Sequence, residues 1–302
     1  MHMLDSKEDK DIKDIFLKIA IIILALVLIT LCSLWYINQK QTPVFDDTTY
    51  EDQSYAELEN VEYDLFGKTI VNFGDSIFDN YHKPTDISSY ITDMTNATVY
   101  NVGFDGCRMA KHTAETYDAF SMYSLAKAVA GKNFDRQEQA AEKLNKINFN
   151  EKLATLKNID FNKVDIITIA YGTNDFDGGV SIDEFKGALT ESIESISKAY
   201  PNINIVVCTP IYRYWTNENG QYLSDSETKT VKSKKLTDFA SAVKDIAQQY
   251  GLFVIDNYNN SGINSINKSE YFSETDGTHP NAKGRYKIAQ NMAKELYSKF
   301  NN

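Results

Sequence analysis

Hydrophobic and polar positions along this chain fall into three regimes, and each predicts a different kind of element. Residues 19–37 read IAIIILALVLITLCSLWYI, with no charge among them. At about 1.5 Å per residue such a helix is about 28 Å long, close to the thickness of a bilayer's hydrocarbon layer. Core helices are rarely apolar on every face over that length. Trp35 and Tyr36 sit at the far end, where aromatic rings favour the membrane interface. No small-x-small cleavage signal follows, since Cys32-Ser33-Leu34-Trp35 is a poor one, and Leu31 is bulkier than the residue expected before a lipid-modified cysteine. The expectation is one uncleaved transmembrane helix. Residues 38–66 are polar and acidic with no basic residue after Lys40, which predicts an extended, self-repelling tether. Tyr50, Tyr55 and Tyr63 leave open that its later part docks on the domain that follows.

From residue 67 onward the pattern alternates. Short apolar, β-rich runs at 69–73, 98–102, 164–170, 203–208 and 252–255 are interspersed with helical periodicity at 182–199, 233–250 and 282–299. Gly251 suits the position just past the second of these helices, and Pro280 the approach to the third. Strands that alternate with helices predict an α/β domain over 67–302, with a parallel sheet of about five strands covered on both faces. Functional loops are then expected at the C-terminal ends of the strands. Residues 114–148 break the rhythm: Phe120, Met122, Tyr123, Leu125 and Val129 form an apolar cluster, followed by a charged helix-like stretch over 137–144. This helical insertion reads either as extra core-packing helices or as a flap over a site.

Composition and charge sharpen this outline. The chain has 302 residues, 42% of them hydrophobic, enough for one sizeable domain plus its N-terminal segments. A formal net charge of -11 argues against a nucleic-acid partner. Lys7, Lys10, Lys13 and Lys18 precede the apolar run and only Lys40 closely follows it, so residues 1–18 are expected in the cytoplasm and the domain outside. Cys32 lies in the span; Cys107 and Cys208 are expected as buried free thiols, since nothing in the sequence brings their Cβ atoms together. His2, His82, His112 and His279 are scattered, with no metal-ligand spacing.

Four separated segments carry the candidate chemistry: Gly74-Asp75-Ser76-Ile77, Asn101-Val102-Gly103-Phe104-Asp105-Gly106, Gly172-Thr173-Asn174-Asp175 and Asp276-Gly277-Thr278-His279-Pro280. Alone each is weak, because Gly, Asp, Ser and Asn are ordinary turn residues. The first three come at or just after a strand-like run, and the fourth just before the last helix. Serine is a poor nucleophile until a neighbouring base takes its proton. Two histidines follow an aspartate by three residues: His279 after Asp276, and His82 after Asp79. His82, close in sequence to Ser76, is the weaker candidate, whereas His279 comes from a distant segment able to fold back. Asp276 would hold its Nδ1–H while Nε2 faces Ser76. The backbone N–H groups of Ser76 and Gly106 and the Asn174 amide are the natural oxyanion donors. Taken singly, Asp276 and Thr278 also read as caps of the final helix, and Asn174 and Asp175 as turn formers. Jointly, those readings leave the repeated strand-end placement unexplained.

These blocks resemble the SGNH, or GDSL, hydrolases over about residues 68–299. Ile77 stands where leucine is common, which removes no chemistry. Within the resemblance the oxyanion glycine, five residues after an asparagine, is Gly106 after Asn101, and Gly103 is left as a turn residue. Asn174 becomes the side-chain donor, and Asp276-x-x-His279 supplies the base and its partner, in preference to His82. The resemblance implies a flavodoxin-like three-layer α/β/α fold and ester hydrolysis through an acyl-enzyme, without metal or other cofactor.

Substrate contacts are read from the flanks. Tyr212, Arg213 and Trp215 follow the fourth apolar run, where aromatic faces suit sugar rings and Arg213 a carboxylate or phosphate; simple packing of the loop is the equal alternative. Cys107 and Arg108 are candidates for the acyl pocket, and Asp75 for a further substrate contact. The expectation is a single-pass, membrane-anchored extracytoplasmic esterase that removes acyl, foremost acetyl, groups from a cell-surface glycan. Alternatives are an O-acyltransferase on a glycan, a lipase- or lysophospholipase-like acyl hydrolase and, last, a non-catalytic glycan-binding domain.

Overall fold

The computed structural model describes residues 63–78, 84–273 and 276–301. The expected cytoplasmic segment, the span over 19–37 and most of the tether lie outside these residues. Among the described residues no helix is long and apolar enough to cross a membrane.

Five parallel strands form the centre: β1 (Thr69–Gly74), β2 (Thr98–Gly103), β3 (Ile166–Ala170), β4 (Asn204–Cys208) and, later in the chain, β7 (Phe253–Ile255), in the order β2-β1-β3-β4-β7. Two short antiparallel pairs stand outside it, β5 (Tyr214–Thr216) with β6 (Tyr222–Asp225) and β8 (Phe272–Ser273) with β9 (Asp276–Pro280). The helices are α1 (Ile87–Thr95), α2 (Glu115–Asp118), α3 (Met122–Gly131), α4 (Asp135–Leu144), α5 (Ile147–Asn158), α6 (Thr173–Asp177), α7 (Ile182–Ala199), α8 (Leu236–Tyr250), α9 (Asn257–Asn260), α10 (Lys268–Tyr271) and α11 (Ala282–Phe300).

Alternate residues of each strand point to opposite faces, so the sheet builds two cores. Val71, Phe73, Val102, Ile167, Ile169, Ile205 and Val207 pack with α3, α5, α7 and α8. Ile70, Ile166, Val206, Cys208 and Ile255 pack with α1 and α11. Each large apolar side chain removed from water in this way contributes roughly 1.5–3 kcal/mol. One polar strut crosses the second core: buried Asn72 donates to Ser88 Oγ at 2.9 Å and accepts from Thr168 Oγ1 at 2.7 Å, joining β1, α1 and β3. Strand order reverses between β1 and β3, where the following loops part and leave a crevice at the strands' C-terminal ends. At the opposite end the tether's last residues are docked. Tyr63 and Leu65 each donate a backbone N–H at 2.7 Å to the Met94 and Thr95 carbonyls of α1, and the Tyr63 ring lies 6.0 Å from that of Tyr297 near the end of α11.

Packing bears on two of the alternatives. In the 114–148 insertion Phe120, Met122 and Leu125 are fully buried, and Phe120 packs against Phe104 and Phe149 at 4.7 and 4.9 Å, which agrees with the core-packing reading of the apolar cluster. Their apolar positions belong to the sheet's core. The last segment is not a helix cap, because residues 276–280 pair as strand β9 and Asn281 caps α11 instead, its side chain accepting from Gly284 N at 2.9 Å.

Candidate active site

Ser76 opens a short 3-10 turn, Ser76–Phe78, two residues beyond the end of β1. Asp75, beneath it, is buried and accepts the Ile77 N–H at 3.0 Å, which holds the turn. From β9, His279 Nε2 comes within 2.9 Å of Ser76 Oγ, and its Nδ1 lies 2.6 Å from Asp276 Oδ2. The other Asp276 oxygen accepts the backbone N–H groups of Thr278 and His279 at 2.7 and 3.1 Å. A carboxylate at Nδ1 favours the tautomer with the proton there, which leaves the Nε2 lone pair to face the serine hydroxyl. Burial alone would lower the His279 pKa, but the Asp276 bond and charge, with Asp75 and Asp105 nearby, outweigh it and raise the pKa above 6.5. Burial pushes Asp276 the other way, and its bonds to His279 and two backbone donors hold it below the ordinary value. His82, the rival base, lies outside the described residues.

The donor side is built from two other strand ends. Gly106, beyond β2, has φ +69, and a Cβ there would stand 3.3 Å from Tyr117 Cε1. The backbone N–H groups of Ser76 and Gly106 have no hydrogen-bond partner among the described residues. In α6, beyond β3, Asn174 donates one amide hydrogen to the Cys107 carbonyl at 3.0 Å, which orients the amide and leaves its second N–H for another acceptor. Three donors without a competing partner thus stand beyond the ends of three adjacent strands, β2, β1 and β3. Gly103 is not the turn residue expected: it ends β2, and its missing Cβ admits the Asp75 carbonyl and Phe78, which such a carbon would meet at 3.0 and 2.9 Å.

A family model, the GDSL-like lipase/acylhydrolases, matches residues 73–286. The chain belongs to that family. It is an ester hydrolase. Among curated proteins none matches the hydrolase in sequence. Solved structures share its fold. One from Lactobacillus plantarum has 16% identity and a TM-score of 0.53, over 78% of this chain and 99% of its own. Est24, described as a carbohydrate acetylesterase from Sinorhizobium meliloti, has 13% identity and a TM-score of 0.51, over 77% of this chain and all (100%) of its own.

The remaining candidates of the hydrolase separate by burial. Cys107 is wholly buried in one core and Cys208 in the other, both as free thiols, so Cys107 does not line an open acyl pocket. Tyr212 is only 1% exposed and donates its hydroxyl to Asp225 at 3.0 Å, which withdraws it from substrate. Arg213 is likewise buried: Nη1 meets Asp177 at 2.6 Å, Nη2 donates to Thr278 Oγ1, and the guanidinium lies 4.3 Å from the Trp215 ring centre. It offers no free charge to a ligand. It clamps the β9 segment that carries His279 to the end of α6. Trp215 is half-buried under Arg213 and Lys229 and against Phe176. Asp75 lies under the serine turn, away from substrate, and burial raises its pKa to about 7.

Asp175 is the residue whose part the sequence did not disclose. It is fully buried, and its two oxygens accept the Met109 and Ala110 N–H groups at 2.9 Å each, binding the segment after Gly106 to α6. Burial outweighs those two donors and raises its pKa to about 6. Its position directly after Asn174 was the available signal, obscured because Asn-Asp is also an ordinary turn pair.

Proposed function

We propose that this hydrolase is a membrane-anchored serine esterase, facing outward, that removes acyl and foremost acetyl groups from a surface glycan. The observation that carries the chemistry is His279 spanning from Asp276 to Ser76 with both ring nitrogens engaged. Ser76 Oγ attacks the ester carbonyl as Nε2 takes its proton; the oxyanion is met by the Ser76 and Gly106 N–H groups and the free Asn174 N–H. His279 then returns the proton to the departing alcohol oxygen, leaving acyl-Ser76, and water repeats the sequence in reverse. The charge-free run at 19–37 and the lysines ahead of it support the anchor and its orientation. The same-fold neighbour named as a carbohydrate acetylesterase supports the substrate class.

The full-length protein and its Ser76→Ala variant would be compared on acetate, butyrate and octanoate nitrophenyl esters and on an acetylated glycan. Turnover that needs Ser76 and favours acetate is the expected result. Undiminished turnover by the variant would sink the mechanism, and octanoate preference would move the substrate to lipid. Protease added to intact cells should cleave the domain; protection there overturns the orientation.

A further inference from the structure

We infer that a groove beside Arg108 is a subsite for an oxyanion, a carboxylate or phosphate, carried by the substrate on a part remote from the ester. This presupposes the esterase chemistry above and adds to it what the substrate must bear. The groove, about 320 Å³, is lined in part by Arg108, Lys111, Tyr123, Gly178, Glu184 and Lys232. Such a volume falls at the small end of ligand sites.

Arg108 is the centre of it. The side chain makes no hydrogen bond or ion pair among the described residues, and its Nε is buried without a partner. Folded chains seldom leave such a donor unsatisfied, and a planar guanidinium fork matches an oxyanion in two bonds. The acids of the groove are already engaged. Glu184 accepts from the Ser181 N–H at 3.0 Å in the cap of α7, and Glu191 pairs with Lys127 at 2.9 Å. Lys232 donates to the Gly179 carbonyl at 2.9 Å, and Lys111 stands 4.6 Å from the Tyr123 ring centre. Arg108, Lys111 and Lys232 line the groove with Glu184 and Glu191, and the two lysines lie within the fields of those two acids, so the charge in excess is that of Arg108.

Position links the groove to the reaction. Arg108 follows Cys107, whose carbonyl holds Asn174. Its guanidinium rests on Gly178, at the end of α6, so closely that a Cβ there would lie 2.1 Å from Nη2. The groove therefore adjoins the segment after Gly106 and the end of α6, and runs along α7.

Calorimetry on the full-length Ser76→Ala protein, titrated with succinate and with inorganic phosphate at low salt, tests the subsite without turnover. Saturable binding is expected, weakened by added sodium chloride, and weakened at least tenfold further by Arg108→Gln. Gly178→Ala keeps the charge but displaces it, and should weaken binding several-fold with circular dichroism unchanged. The tighter probe names the anion. Equal binding with and without Arg108, or none to the folded protein, overturns the subsite. In kinetics, kcat/KM for acetyl esters of glucuronate or glucose phosphate should exceed that for acetylglucose at least tenfold, and Arg108→Gln should bring that ratio towards one. Equal rates on charged and neutral esters, with turnover still dependent on Ser76, defeat the subsite and leave the esterase. Turnover independent of Ser76 defeats the esterase, while the binding result stands by itself.

Discussion

The two sides of the candidate site are held in different ways. The donor side, Gly106 and Asn174, stands at the ends of central strands and is tied by a buried carboxylate: Asp175 grips two backbone N–H groups, and Asn174 is bonded to the Cys107 carbonyl. The base side, Asp276 and His279, sits on a short antiparallel pair outside the main sheet, with both side chains more than two-fifths exposed. Its tie to the donor side is Arg213, between Thr278 and Asp177. The candidate donors thus stand at the ends of central strands, while the candidate base rides on a peripheral pair. One buried cation keeps the two in register.

Breaking the base side should cost most. His279→Gln is expected to lower kcat on the order of 10⁴-fold or more, in single-turnover assays, with the fold intact; a fall below tenfold would exclude His279 as the base. The pH profile sharpens this. Because the His279 pKa is raised, activity should decline as pH falls through a value above 6.5, where the ring becomes charged and its lone pair is lost. Next comes the donor side: Asn174→Ala should reduce kcat by about 10²–10³-fold with little change in KM. If KM alone moved, the amide would be binding ground-state substrate instead.

The tie itself comes third. Arg213→Lys should lower kcat about tenfold and stability by about 2 kcal/mol in urea unfolding, since one ammonium cannot replace both fork contacts. An unchanged kcat beside reduced stability would make Arg213 a purely structural residue. Smallest is the effect of the acids under the floor. Asp75 and Asp175, with folded pKa values of about 7 and 6, hold their protons more tightly folded than unfolded. Their contribution is full below the unfolded value near 4 and is lost as pH rises through 6 and 7. Asp75→Asn keeps an acceptor for the Ile77 N–H, so it should flatten the loss of stability between about pH 5 and pH 8. An unaltered slope would mean that Asp75 ionises normally.

What was legible followed from burial. Strands covered on both faces need continuous apolar runs, and those runs put the five central strands within two residues of their places. The family motifs lie where those strands end, so Ser76, Gly106 and Asn174 were readable together with Asp276 and His279. The short pairs were not, because β5, β6, β8 and β9 owe their pairing to distant neighbours and leave no periodicity of their own. Nor does sequence distinguish an arginine that reaches outward from one that is swallowed: Tyr212 and Arg213 looked like ligand contacts until their partners, Asp225, Asp177 and Thr278, were in place. The core role of Phe120 and Met122 was one of two readings of their apolar cluster, and their burial agrees with it.

The contact between Tyr63 and Tyr297 has a consequence for how this chain tolerates rewiring. The domain's two ends meet at the foot of the sheet, far from every loop that carries chemistry. A short glycine-serine bridge from residue 301 to residue 63 would close the backbone into a ring, and the ring can be reopened at the exposed turn Lys132-Asn133. Such a circular permutant keeps all five central strands and opens only the connection from β2 to β3, so the order in which the chain is written and the place where its reaction occurs are separable properties of this protein.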